Sequence, residues 1–237
     1  EMVIRDWSSD VCSSDLFGSG TQNTHFHNNI LTRCVTPIQV ADFGGTTYQI
    51  NQTFEFNTVV GSQGFSMNPS RSAYAGLFPV LPKDVRFLNN VVVDFQAQYS
   101  GERNTVDFGT YMSDADYNAT MAAIIMDKNC WFNPNRTVRF QIGAANGGSY
   151  GTLGGAYSLS QWRSFGLDVH SVEANPNFVN LNGDFHMKSG SPCSSMGAFI
   201  EPTTGYESSK GHKSDEISGC EMTSRHWSSL VVFFVMI

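Results

Sequence analysis

The clearest alternation of apolar and polar positions runs through Phe87-Leu88-Asn89-Asn90-Val91-Val92-Val93. Near-copies stand at Phe26-His27-Asn28-Asn29-Ile30-Leu31, at Phe54-Glu55-Phe56-Asn57-Thr58-Val59 and, more weakly, at Met126-Asp127-Lys128-Asn129-Cys130-Trp131. Aligned on Asn29, Asn57, Asn90 and Asn129, each copy has an apolar residue three places before the Asn and another two places after it. The copies follow one another by 28, 33 and 39 residues. Repeats of that length signal stacked architecture, because one copy cannot bury its apolar edge until a neighbour covers it.

Alternation before each Asn is strand periodicity. Asn is a corner residue: its short side chain tolerates left-handed backbone angles and bonds to nearby backbone. Stacked copies would bring the four amides into a ladder. The pattern therefore predicts four equivalent corners and parallel strands. An antiparallel β-sandwich with unrelated Asn turns is the alternative.

Along the chain, residues 17–64 predict two such coils, with further short strands at Pro37–Val40 and Tyr48–Ile50. Residues 65–84 read as a connection with Pro69, Pro79 and Pro82, and residues 96–124 as a polar loop running into a short helix or strand from Tyr117. Ser158 and Gln161 have capping-box spacing, so Ser158 to Gly166 predicts a short helix that covers the end of the stack.

The end of this region carries Trp162–Ser171 (WRSFGLDVHS), Ala174-Asn175-Pro176-Asn177-Phe178-Val179, Asn182-Gly183-Asp184-Phe185-His186-Met187 and Ser189-Gly190-Ser191-Pro192-Cys193. Together with the four Asn copies, it resembles the closing segment of the right-handed parallel β-helix repeat proteins, the pectate-lyase-like group. The resemblance covers roughly Phe17 to Ala198. It implies an all-β, right-handed parallel β-helix (solenoid) with a short C-terminal capping helix, within a secreted or cell-surface protein. It implies polysaccharide as the partner, met by a glycoside hydrolase, a polysaccharide lyase or a non-catalytic adhesion surface. Calcium enters by family analogy only; otherwise no cofactor is expected. His170 and His186 belong to the closing motif and read as structural.

Composition sharpens the boundaries. Residues 1–16 (EMVIRDWSSDVCSSDL) match a translated sequencing-adapter frame and read as a scar outside the fold, so the native start is expected to lie elsewhere. Residues 17–199 form the expected domain, and 200–237 an irregular tail ending in the apolar Leu230–Ile237, too short to span a bilayer. Charged residues are 15%, below the ~25% of an average chain, which favours turn-rich β structure. A net charge of -7 makes nucleic acid an unsuitable partner and repels an anionic polysaccharide unless a local basic patch compensates. A monomer is expected. None of the five cysteines forms a CxxC pair; Cys34 and Cys130 read as small buried residues.

If Phe26, Phe54, Phe87 and Met126 point inward, then His27, Glu55, Leu88 and Asp127 form one outward row and His25, Thr53, Arg86 and Ile125 another. Four strands ~4.8 Å apart make a strip ~15 Å long, suited to a sugar chain. Glu55 and Asp127, two strands apart at ~10 Å, come near the ~6.5–9.5 Å of inverting glycosidases and are the candidate acid/base pair. Arg86 is the candidate base or enolate-stabilising cation of a lyase. His25 and His27 are candidate substrate-binding residues; as metal ligands they would need a third donor such as Glu55. Asp114-x-Asp116-x-Asn118 has oxygen ligands in alternation but lacks the glycine and closing Glu of a calcium loop. Each of these groups could instead be an ordinary solvated surface residue.

Overall fold

In a computed structural model, the described residues are 2–4, 8–9, 15–17, 22–32, 38–41, 50–61, 65–68, 83–94, 106–108, 114–142, 152–181 and 183–199. The chain divides into two compact units, Glu1–Ile200 and Glu201–Ile237; the second, including the apolar Leu230–Ile237, lies outside the described residues. Cys12, Cys34 and Cys220 also lie outside them.

The strands begin with β1 (Met2–Ile4), β2 (Ser8–Ser9), β3 (Asp15–Phe17), β4 (Gln22–His27), β5 (Ile30–Thr32) and β6 (Ile38–Ala41). Then come β7 (Ile50–Glu55), β8 (Thr58–Gly61), β9 (Phe65–Asn68), β10 (Lys83–Leu88), β11 (Val91–Asp94) and β12 (Val106–Phe108). Helix α1 (Asp114–Ala122) precedes β13 (Ile124–Asp127), β14 (Cys130–Phe132), β15 (Phe140–Ile142) and β16 (Gly155–Tyr157). Helix α2 (Leu159–Arg163), β17 (Val172–Glu173), β18 (Phe178–Asn180) and β19 (Asp184–Met187) complete the described chain.

Successive strands enter three sheets in rotation. The first sheet is β1-β4-β7-β10-β13, the second β2-β5-β8-β11-β14-β17 in space, and the third β3-β6-β9-β12-β15-β16. Pairing is parallel throughout these sheets except for β15 with β16. The chain is thus β-rich with parallel sheets and few helices, and the antiparallel sandwich is excluded. Phe26, Phe54, Phe87 and Met126 share one register column, as their spacing predicts, and all are buried.

Asn29, Asn57, Asn90 and Asn129 are buried in a hydrogen-bonded ladder. The backbone N–H and side-chain Nδ2 of Asn29 donate to Asn57 Oδ1 at 3.1 and 3.0 Å. Those of Asn57 donate to Asn90 Oδ1 at 2.9 and 3.0 Å, and those of Asn90 to Asn129 Oδ1 at 2.9 and 3.2 Å. Each following amide also reaches a main-chain carbonyl one strand back: Asn57 to Phe26, Asn90 to Phe54 and Asn129 to Phe87. The left-handed residue is not the Asn itself but its predecessor: Asn28, Phe56, Asn89 and Lys128 have φ of 57°, 51°, 55° and 55°. One left-handed residue turns the chain between sheets, which leaves the next side chain aimed inward.

The closing motif ends this ladder. Asn129 donates through Nδ2 to Asp168 Oδ1 at 2.9 Å and through its backbone N–H to Ser171 Oγ at 2.8 Å. Burial pushes the Asp168 carboxyl above its usual range; bonds from Ser171, Asn129 and Trp131 oppose that shift without cancelling it. Arg163 donates to the carbonyls of Asp168 and Ser171. Trp162, fully buried on α2, stacks on Phe140 with centroids 5.0 Å apart, and Phe140 meets Trp131 edge-on at 5.3 Å. Helix α2 has the expected capping box at Ser158 and Gln161, but its C-cap is Ser164; Gly166, at φ +82°, turns the chain just beyond.

Several elements differ from the sequence reading. Phe65–Asn68 and Val106–Phe108, expected in connections, are strands of the third sheet; of the two readings of the segment before β13, the structure shows the helix, α1, starting three residues earlier than Tyr117. Residues 1–16, expected outside the fold, contribute β1 and β2 and open β3, since the backbone edge of a parallel sheet pairs with any extended chain. Cys130 is not a free buried thiol: it is bridged to Cys193 across 63 residues. In the loop-closure account such a bridge contributes about 4 kcal/mol.

The second sheet is apolar on both faces. Val59, Val92 and Trp131 join the inner core, while Val60, Val91, Val93 and Cys130 pack with Phe178 and Cys193. That outer cluster is covered from the antiparallel β18–β19 hairpin onward. The chain then runs back over the corners: Gly197 N–H donates to Asn89 O at 2.7 Å, Ala198 N–H to Thr58 Oγ1 at 2.9 Å and Phe199 N–H to Asn28 Oδ1 at 2.6 Å. The Phe199 ring packs on that of Phe56, centroids 4.8 Å apart with a 36° tilt. Gly197 has φ +79°, and a Cβ there would lie 2.7 Å from Thr58 Oγ1 and 2.9 Å from Val91 Cγ2.

Two outcomes follow for urea unfolding. Asn90→Ala should cost about 3 kcal/mol or more, since it strands several buried partners, whereas Asn29→Ala should cost roughly 1 kcal/mol. The difference arises because Asn29 Oδ1 accepts no hydrogen bond among the described residues; equal losses would contradict a cooperative ladder. Gly197→Ala should cost about 1–3 kcal/mol through strain and overlap, and an unchanged midpoint would show that the returning segment contributes nothing.

Candidate functional site

Left-handed residues bound the strands of the first sheet at both ends. Asn23, Asn51 and Asp84, with φ of 55°, 53° and 51°, form a second corner six residues before the ladder Asn in the first three copies. Between the corners, Thr24, Gln52 and Val85 point inward with the Phe column, and the intervening side chains point outward. The register sets His25, Thr53, Arg86 and Ile125 in one outward column and His27, Glu55, Leu88 and Asp127 in the next. These are the rows that the alternation predicts.

A groove of about 610 Å³ lies on this face, between Asn23 and Asn51 on one side and Glu55 and Leu88 on the other. His25, Thr53 and Arg86 also line it. His25 Nε2 donates to Glu55 Oε1 at 2.6 Å, and the His25 and His27 rings lie 4.4 Å apart with a 30° tilt. Arg86 is held by Asp84 in a two-point ion pair, Nε to Oδ1 at 2.8 Å and Nη2 to Oδ2 at 3.2 Å. Asn51 Nδ2 donates to Asn23 Oδ1 at 3.0 Å, so two amides bridge neighbouring strands at the rim.

The structure therefore brings His25, His27, Glu55 and Arg86 to one face but spends Asp127 elsewhere. Leu88 lies between Glu55 and Asp127 in the register, so the two carboxylates are two strand spacings apart, ~10 Å. Asp127 accepts from the backbone N–H and Nδ1 of His170, each at 2.7 Å. Partial burial pushes the Asp127 carboxyl up, but the hydrogen bonds from His170 and the Lys128 backbone prevail and hold it below its usual range. An anion so held suits a base or a structural anchor, not a general acid.

Asp114 opens α1 and its carboxylate accepts from Thr152 N–H and Oγ1 and from Leu153 N–H, bonds that lower its pKa. Among the described residues, no group of three or more His, Cys, Asp or Glu is arranged to hold a metal ion. His186 pairs with Asp184 at 2.6 Å within the β18–β19 hairpin.

Sequence reasoning missed Asn23, Asn51 and Asp84, although the signal was present: aligning the copies six residues further back shows Asn, Asn and Asp. It also missed Cys193 as the partner of Cys130, which no local pattern encodes.

The Asp127–His170 contact has a pH signature. A carboxyl with a lowered folded pKa contributes stability above its unfolded value, near 4, and loses it as pH falls through the folded value. His170→Ala should therefore destabilise the protein at pH ~7 and converge with wild type below pH ~3, measured as melting temperatures across that range. A gap that stays constant with pH would place the effect in packing instead. Comparisons with protein-family models, curated proteins and solved structures return no match for this chain.

Proposed function

We propose that this chain is a secreted, right-handed parallel β-helix with a C-terminal cap, whose first sheet offers its outer groove to a polysaccharide. The rotation of strands through three parallel sheets supports the fold reading, and crossovers between parallel strands are right-handed in nearly all cases. The Cys130–Cys193 bridge supports an oxidising compartment. The observation that carries the functional reading is the groove itself. It combines amides at Asn23 and Asn51, the Thr53 side chain, the His25–Glu55 pair and the half-buried Leu88. Amides and hydroxyl groups match sugar hydroxyls, and an apolar or imidazole surface matches the flat face of a sugar ring.

Binding is the primary activity in this reading, because the charged groups that catalysis would use are already engaged. Arg86 is paired with Asp84, and a lyase needs its cation free for the enolate. A hydrolytic role is the second reading. The His25–Glu55 hydrogen bond favours it, since a proton can pass between imidazole and carboxylate beside a bound chain. Asp127 would then be the more distant base, at the outer limit of the inverting range.

Titration with a panel of soluble polysaccharides, together with a reducing-end assay, tests both. Wild type should bind at least one glycan, and Thr53→Trp, which fills the groove from an outward position, should weaken that binding by about tenfold or more. Glu55→Gln should keep the fold and remove any turnover. An unaffected Thr53→Trp variant with a native melting curve would move the binding surface elsewhere.

A further inference from the structure

The groove contains two carboxylates and one guanidinium among its described residues and their direct partners, and each carboxylate is matched. Glu55 bonds His25, and Asp84 bonds Arg86. Arg86 alone would attract an anionic chain, since a guanidinium grips a carboxylate through two parallel bonds. Asp84 takes the Nε–Nη2 edge of the guanidinium, one of the edges a uronate carboxylate would use, and offsets the positive charge that would attract it. We propose that Asp84 determines specificity: by occupying Arg86, it makes the groove select an uncharged glycan over an anionic one. This rests on the glycan-contact reading above.

The position of Asp84 in the repeat explains how it comes to do so. It stands in register with Asn51 and, one strand further, Asn23, at the same left-handed corner. Asn51 donates its amide to Asn23 Oδ1. An Asn at the third corner could continue that series by donating to Asn51. A carboxylate has no proton to donate, so Asp84 turns to the guanidinium two residues on, which extends from the same strand. The pair is exposed at its edge, with side-chain exposures of 44% for Arg86 and 42% for Asp84. It therefore acts as a competitor that a ligand must displace and contributes little as a stabilising contact. The net charge of -7 works in the same direction, against anionic chains.

Asp84→Asn is the direct test. It keeps a residue that tolerates the left-handed corner, retains shape and releases Arg86. Asp84→Gly is the companion variant, since glycine also suits φ near 51°. Isotherms would be recorded for neutral chains (dextran, xylan, galactan) and anionic ones (polygalacturonate, alginate), at about 0.05 M and about 0.3 M salt, which brackets ordinary screening. Wild type should bind a neutral chain with little salt dependence and polyuronates more weakly. Both variants should gain polyuronate affinity by up to about fivefold, the limit of an exposed ion pair, and lose the gain at high salt. Affinity for the neutral chain should not change. Adding Arg86→Gln to either variant should cancel the gain. Wild type that prefers polyuronate, or variants with no gain, would overturn this proposal and leave the groove as a glycan site. Absence of binding to every chain would overturn the glycan reading and this proposal with it.

Discussion

The buried amide ladder is the constraint on which the rest of the fold depends. Each Asn side chain bonds the backbone and the side chain of its neighbour, so the chain must return to the same corner once per repeat. That requirement aligns Phe26, Phe54, Phe87 and Met126 beneath one another and sets every outward residue of the first sheet in a fixed column. A slip of one residue would strand buried amides and turn the apolar column outward, both costly. The register that builds the groove is therefore imposed by hydrogen bonds at the buried corner that follows each strand.

A ladder has ends, and at the C-terminal one two side chains of the closing motif stand where a further amide would be. Asp168 and Ser171 take the place of a fifth Asn, receiving the side-chain and backbone N–H of Asn129. Trp162 closes the aromatic core next to them, and the chain then returns over the second sheet, fastened at Cys193 and along Gly197–Phe199. The closing motif is thus one device with two tasks: terminating the amide series and covering an apolar sheet face that would otherwise meet water.

The groove and the ladder differ in how they treat charge. Inside, amides serve because they donate and accept without a net charge to desolvate. Outside, the carboxylates Glu55, Asp84 and Asp127 each find a cationic or imidazole partner within hydrogen-bond reach. These pairings decide which outward groups remain available to a ligand, and spacing along the chain does not reveal them.

The sequence by itself determined the repeat, the inward column and the two outward rows. Those follow from alternation and from the Asn spacing, which are local and periodic properties of Phe26–Asn29, Phe54–Asn57, Phe87–Asn90 and Met126–Asn129. It also carried the corner at Asn23, Asn51 and Asp84, and the capping box at Ser158, because both rest on fixed offsets. Only the tertiary structure decided that Cys130 meets Cys193, that His170 reaches back to Asp127, and that Phe65–Asn68 and Val106–Phe108 pair as strands. It alone decided that Phe199 crosses to Asn28. Such contacts join segments tens of residues apart through connections of unequal length, so no fixed offset encodes them. The same holds for the pairing of Arg86 with Asp84: two residues apart, both were in plain view, but the left-handed turn at Asp84 was needed to bring the carboxylate onto the guanidinium.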